Sequence, residues 1–206
     1  MADLEDSIAS IKASHSHSTP VQIMLDMILA ASHDQRVTQV ERAVDWVAQE
    51  FVKTSHIRQT MGEDLLTIDI ITSMKAMGFH AAHDTQYGGH CDIVVEARED
   101  FLWIAEAKIH KGYDWLLAGF EQLDRRYSTG LVGQDAGEMI IYCFIERADR
   151  VLSEYQSRLA GSREDVKFDQ AITQGLFRRS VHTHAKTGRN FRVRHSIVPL
   201  YFSPSR

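Results

Sequence analysis

The chain has 206 residues, enough for one domain with a helical extension and too few for two separate cores. At 44% apolar and 25% charged residues its composition is ordinary for a globular protein, which excludes disordered, collagen-like and disulfide-rich classes. The formal charge of −5 hides an asymmetry: all 28 acidic residues lie at or before Asp169, residues 170–206 carry seven basic residues and no acid, and the first 169 hold sixteen basic residues, a formal −12. No apolar run approaches the ~18 residues of a membrane span. The acidic N-terminus (Asp3, Glu5, Asp6) lacks the basic segment of a secretion signal, so a cytoplasmic protein with no membrane partner is expected. Cys91 and Cys143 lie in apolar, strand-like runs and are expected to be buried thiols.

Residues 14–20 read as a polar linker, and helical spacing marks 21–31 and 37–51, the second through Val40, Val44, Val47 and Phe51. These segments make 1–55 an N-terminal helical extension whose apolar stripes need a surface, either the core of 56–206 or a protein partner. A helix is predicted over 61–77, with Leu65, Ile68 and Ile71 as its stripe, Glu63 and Asp64 in its first turn and Gly78 as its C-cap. Strands follow at 79–83, 91–97 and 101–109, the first link being a glycine-containing loop and the second the short turn Arg98, Glu99, Asp100. A helix over 113–127 buries Leu116, Phe120, Leu123 and Tyr127, and the continuous apolar run 139–145 reads as a strand covered on both faces. After a helix at 149–159, strands at 179–185 and 191–198 form a basic hairpin. The order predicts an α/β fold: a central mixed β-sheet flanked by helices, with the 113–127 helix crossing over between two parallel strands.

The stretch 90–108 carries the chemistry. If the 98–100 turn closes an antiparallel hairpin centred on Glu99, opposed residues have numbers summing to 198, and Asp92 faces Glu106 with Lys108 one step along on the same face. Opposed carboxylates repel, and burying them is costly unless a cation is present. An oxygen-only donor set favours Mg²⁺, with Mn²⁺ as the substitute, and such an ion acidifies a bound water beside a phosphoryl group. The alternative is an edge hairpin in which one carboxylate pairs with Lys108. On the helix, Trp115, Gly119, Gln122 and Arg126 form a polar stripe beside the buried one, with Arg125 adjacent. His182 and His184 share a strand face, but a His-x-His pair without further ligands reads as surface histidines rather than a zinc site. His90 and His110 flank the proposed site.

Asp92 followed fourteen positions later by Glu106, Ala107 and Lys108 resembles the PD-(D/E)XK nuclease superfamily, the restriction-endonuclease-like fold with its αβββαβ core. The resemblance covers 63–145. It takes in Glu63, matching an acidic residue on the helix before the first strand, and Gln122, matching a glutamine on the helix after the Glu-x-Lys strand. In RecB-like members that glutamine opens a Gln-x-x-x-Tyr motif, whereas here four residues separate Gln122 from Tyr127; Cys91 stands where the family has proline. The resemblance implies that Asp92, Glu106, the Ala107 carbonyl and Glu63 hold the metal, that Lys108 positions the attacking water, and that Gln122 aligns water or phosphate. It implies a Mg²⁺-dependent nuclease, acting on DNA in preference to RNA, in a bacterial restriction or antiviral defence system. A helicase, ATPase or sensor partner, or a homodimer, would regulate it. The alternative is a non-cleaving nucleic-acid-binding or scaffold subunit. Arg125 and Arg126 on the helix, and Arg189, Arg192 and Arg194 on the hairpin, are the expected phosphate contacts.

Overall fold

A computed structural model of the protein describes residues 2–83, 85–86, 90–170 and 175–204. The loop glycines Gly88 and Gly89, and Arg206 of the basic tail, lie outside the described residues. Helices α1 (Ala2–Ser14), α2 (Thr19–Leu29) and α3 (His33–Lys53) come first, followed by α4 (Glu63–Ala76). Then come β1 (His80–Ala82), β2 (Thr85–Gln86), β3 (His90–Cys91), β4 (Ile93–Ala97) and β5 (Phe101–Ile109). Helix α5 (Tyr113–Glu121) runs on into a π-helical turn (Gln122–Tyr127), and β6 (Ala136–Cys143), α6 (Ala148–Ser162), β7 (Lys167–Phe168), β8 (Phe177–Thr183) and β9 (Asn190–Pro199) complete the chain.

Seven strands form one mixed sheet in the order β1-β4-β5-β6-β9-β8-β7, flanked by helices, so the fold is α/β. Strands β5, β6 and β9 run parallel, and the other ladders of this sheet are antiparallel. The β4–β5 register pairs Ile93 with Ala105 and Ala97 with Phe101, the register centred on Glu99. Glu99 and Asp100 make that tight turn by adopting left-handed backbone angles (φ 61° and 54°). Among the described residues no helix is long and apolar enough to cross a membrane.

Alternation along the strands divides the core in two. One face carries Ile93, Val95, Trp103, Ala105 and Ala107 against Ile23 of α2, the α3 stripe Val37, Val40, Val44, Val47 and Phe51, and Leu66, Ile70 and Met74 of α4. The opposite face carries Val94, Ile104, Met139 and Ile141 against Leu116, Phe120 and Leu123 of the α5 segment and Val151, Leu152 and Tyr155 of α6. Helix α3 is therefore a wall of the main core, not an outlying appendage, and its start is fixed by a reciprocal Ser32–Gln35 capping box.

Helix α4 begins without a side-chain cap, but Glu63 and Asp64 in its first turn suit the positive end of the helix dipole. It ends in a Schellman arrangement: Gly78 takes φ 83°, the Phe79 N–H donates to the Met74 carbonyl (3.1 Å), and the Gly78 N–H donates to Lys75 (2.9 Å). Its buried face is Leu66, Thr67, Ile70, Ile71 and Met74, while Leu65 and Ile68 point outward, contrary to the predicted stripe. Apolar residues surround this helix, so spacing alone does not select the face; contact with the sheet does.

Candidate active site

The site forms where the β4–β5 ladder runs out. In an antiparallel pair alternate residues direct both N–H and C=O to the same neighbour, and those N–H groups need acceptors. On β5 the last ladder partner is Ala105, opposite Ile93, because the chain bends at Asp92. Beyond it, two carboxylates take the place of the missing strand: Asp92 Oδ2 accepts from the Ala107 N–H (2.8 Å), and Glu63 Oε2 accepts from the Ile109 N–H (2.7 Å). Asp92 thus lies one step past the ladder and not within a strand. The Ala107 carbonyl projects to the same side as its N–H, towards Asp92.

Glu106 and Lys108 project from β5 on the α5 side. The Lys108 ammonium lies 2.6 Å from Glu106 Oε1, 3.5 Å from Glu63 Oε1 and 3.8 Å from Asp92 Oδ2. Three carboxylates thus surround one ammonium, and the cluster carries excess negative charge. Glu106 is only 1% exposed; burial, reinforced by the Asp92 charge, pushes its pKa up to about 7. Its Oε2 is buried without a hydrogen-bond partner among the described residues. Burial opposes the charge on Lys108, but the Glu106 hydrogen bond and the surrounding carboxylates outweigh it and raise its pKa. Burial also lifts the neighbouring Cys91 thiol well above its ordinary range, which keeps it protonated.

The α5 segment covers this cluster. A Cβ at Gly119 would come within 3.0 Å of Lys108 Cγ and 2.8 Å of Met139 Cε, so the bare glycine lets the lysine stem pass beneath the helix. Trp115, on the same stripe, has its ring centroid 5.4 Å from the Lys108 ammonium. At the far end of the stripe Gln122 opens the π turn, and its Oε1 is buried without a partner among the described residues. Tyr127 closes the turn, with its pKa raised by burial and then by the charges of Glu106 and Asp92. Asp124 anchors the turn from the opposite side: it accepts from His182 (2.8 Å) and Arg163 (3.0 Å), and despite its burial these partners lower its pKa.

The oxygen donors fit a hard divalent ion in part. Among the described residues no group of three His, Cys, Asp or Glu side chains is spaced to hold a metal. Mg²⁺, however, typically takes one or two protein carboxylates and keeps several waters. The unpartnered Glu106 oxygen, the Asp92 carboxylate and the Ala107 carbonyl supply that smaller set, and Glu63 is near enough to reach a water shell.

The expected phosphate contacts divide. Arg126 and Arg189 are exposed without carboxylate partners among the described residues, and Arg125 is exposed but paired with Glu121. Arg192 pairs with Asp34 (2.8 Å) and Asp135 (3.3 Å). Arg194 is 2% exposed, sits between Asp45 and Glu138, and has no open side for a phosphate. The basic hairpin is in fact the β8–β9 part of the central sheet, and three of its arginines, Arg179, Arg192 and Arg194, each pair with an α3 carboxylate, Glu41, Asp34 and Asp45 respectively. His182 and His184 are also interior, bonded to Asp124 and to Ser128 and Thr187 rather than exposed. His110 borders the site with its pKa lowered by burial, whereas the His90 side chain lies outside what is described. Lys111, exposed beside Trp115, is a cation that spacing did not single out.

Comparison of the chain with protein families, curated proteins and solved structures finds no match.

Proposed function

We propose that the chain is a metal-dependent nuclease of the PD-(D/E)XK type, hydrolysing phosphodiester bonds in nucleic acid, with DNA as the preferred substrate. The observation that carries the reading is the buried Glu106 with an unpartnered oxygen, set against Asp92 and beside Lys108. With the separate β2–β3 ladder set aside, the order α4, β1, β4, β5, α5, β6 supports it, since an αβββαβ order is what the resemblance implies. When bound, Mg²⁺ or Mn²⁺ supplies a Lewis acid for the phosphoryl oxygen and acidifies a water. Asp92, Glu106 and the Ala107 carbonyl would hold the ion, and Glu63 would reach its outer waters. Lys108 donates to the attacking water, and Gln122 Oε1 accepts from that water and fixes its orientation. In-line addition of the water oxygen to phosphorus would break the P–O3′ bond, the attacking water releasing one proton to surrounding solvent and the departing 3′ oxygen taking one from it. In a cell such an activity calls for restraint, and a helicase, ATPase or sensor partner in a bacterial defence system, or a homodimer, fits that need by family analogy.

The purified chain, incubated with plasmid, linear DNA and RNA, should cleave only with Mg²⁺ or Mn²⁺ present; inactivity under every metal condition would sink the reading. A second reading, a nucleic-acid-binding scaffold that does not cleave, draws on the Lys108 ammonium already sitting among the carboxylates. Calorimetric titration with Mg²⁺ separates them: binding lost in Asp92→Asn favours the nuclease, and no binding favours the scaffold.

A further inference from the structure

Trp115 is 43% exposed on α5, and its ring lies at the edge of the carboxylate–lysine cluster. The Lys108 ammonium is 5.4 Å from the ring centroid and the Lys111 ammonium 5.7 Å. Lys111 is exposed and has no carboxylate partner among the described residues, so its charge is free to meet an anion. Nearby aromatic rings are already engaged: Tyr113 packs on His110 (5.2 Å) and under Arg158 (4.6 Å). No aromatic ring of the described residues stacks on Trp115. The half-exposed indole thus has no aromatic neighbour stacked on it, and the ammonium groups over its ring are one that belongs to the site and one, on the exposed Lys111, that an incoming base can displace.

From this arrangement we infer that Trp115 is the stacking platform for an unpaired nucleobase next to the scissile phosphate, and that the substrate is single-stranded or frayed nucleic acid. A scissile phosphate placed at the Asp92–Glu106–Lys108 cluster leaves the base of the same nucleotide within reach of a ring centred 5.4 Å from the Lys108 ammonium, and Lys111 meets the next phosphate. A base inside a duplex has both faces covered by its neighbours, whereas an unpaired base has a face to offer, and stacking on an aromatic side chain is tolerant of sequence. The platform also explains why a helix otherwise buried through Leu116 and Phe120 carries its largest side chain outward. The inference rests on the nuclease reading for the phosphate at the Asp92–Glu106–Lys108 cluster, but the stacking is measurable without metal or cleavage.

The test uses the full chain in chelator with two labelled probes, a short oligothymidylate and a hairpin duplex of the same charge. Trp115→Ala should weaken oligothymidylate binding about tenfold while leaving duplex binding nearly unchanged, and Trp115→Phe should keep most of the affinity. Oligothymidylate should quench the indole emission of the unmodified chain, and that quenching should vanish in Trp115→Phe. Equal affinity of Trp115→Ala and the unmodified chain for the single strand would overturn the platform. So would an equal loss on both probes, or a dimer by light scattering that Trp115→Ala turns into a monomer, which would make the ring a protein contact. Cleavage assays with Mg²⁺ separate the two layers. Trp115-dependent stacking without cleavage leaves the platform standing and removes the nuclease, whereas cleavage indifferent to Trp115 does the reverse.

Discussion

Two buried glutamates on neighbouring strands show what distinguishes the candidate site from a structural ion-pair cluster. Glu106 on β5 and Glu138 on β6 project from opposite faces of the sheet, and burial raises the pKa of each to about 7. Glu138 has both oxygens engaged, one accepting from Ser196 (2.5 Å) and the other from Arg194 (3.4 Å), and Asp45 completes the arginine's surroundings. Glu106 has one oxygen on Lys108 and the other on nothing among the described residues, beside two further carboxylates that crowd the same ammonium. A perturbed pKa is therefore shared by both places. The unspent hydrogen-bonding capacity and the excess charge belong to one alone.

The contrast is broken most directly by exchanging the two glutamates in an activity assay. Glu106→Ala should lower metal-dependent cleavage by about 10²- to 10⁴-fold, as expected for loss of a group acting at the reacting centre, while circular dichroism stays native. Glu138→Gln should leave the rate per folded molecule near that of the unmodified chain; equal losses in the two variants would erase the distinction. Stability should respond the other way. Arg194→Met strands two buried or half-buried carboxylates and should cost about 3–5 kcal/mol in urea unfolding, and a smaller effect than for an exposed Arg189→Ala control would show the cluster to be dispensable.

The pH dependence sharpens the same comparison. A folded-state pKa raised from 4.5 to about 7 means that the folded chain holds a proton which the unfolded chain has already released across that window. The contribution of these two glutamates to stability should therefore fall as pH rises from about 4.5 to about 7, against the opposite contribution of the buried His195, and Glu138→Gln should change the pH slope of stability by up to one proton. A slope unchanged in that variant would mean that Glu138 does not titrate there. The smallest effects belong to the surface: Arg126→Ala and Arg189→Ala should each reduce the log–log salt slope of nucleic-acid binding by roughly one unit. Arg194→Ala, read on the fraction that remains folded, should not.

How much of this was legible in the sequence depended on whether the signal was local. The β4–β5 register follows from a tight turn and period-two alternation, so Asp92, Glu106 and Lys108 converge from arithmetic alone. Burial of Leu116, Phe120, Leu123 and Tyr127 follows equally from spacing. The charge asymmetry was visible too, but its meaning was not. Each of Arg179, Arg192 and Arg194 has an acid partner on α3, well over a hundred residues away, and only the tertiary fold brings them together. For the same reason the α3 stripe announced that it covers something without saying that it covers the sheet. The bend at Asp92 was equally hidden, because an unfilled ladder position is a property of two strands and not of one.

The π turn at Gln122–Tyr127 has a consequence for how this chain tolerates changes in length. A turn closed by i→i+5 bonds, as from the Ser128 N–H to the Leu123 carbonyl (3.2 Å), accommodates one residue more than an α-helical turn. An insertion there is stored as a local widening, so the stretch before it and the stretch after it keep their faces towards the sheet. Deleting one of the exposed turn residues, Arg125 or Arg126, should close it to ordinary α-helix and bring the glutamine and the tyrosine to a spacing of four.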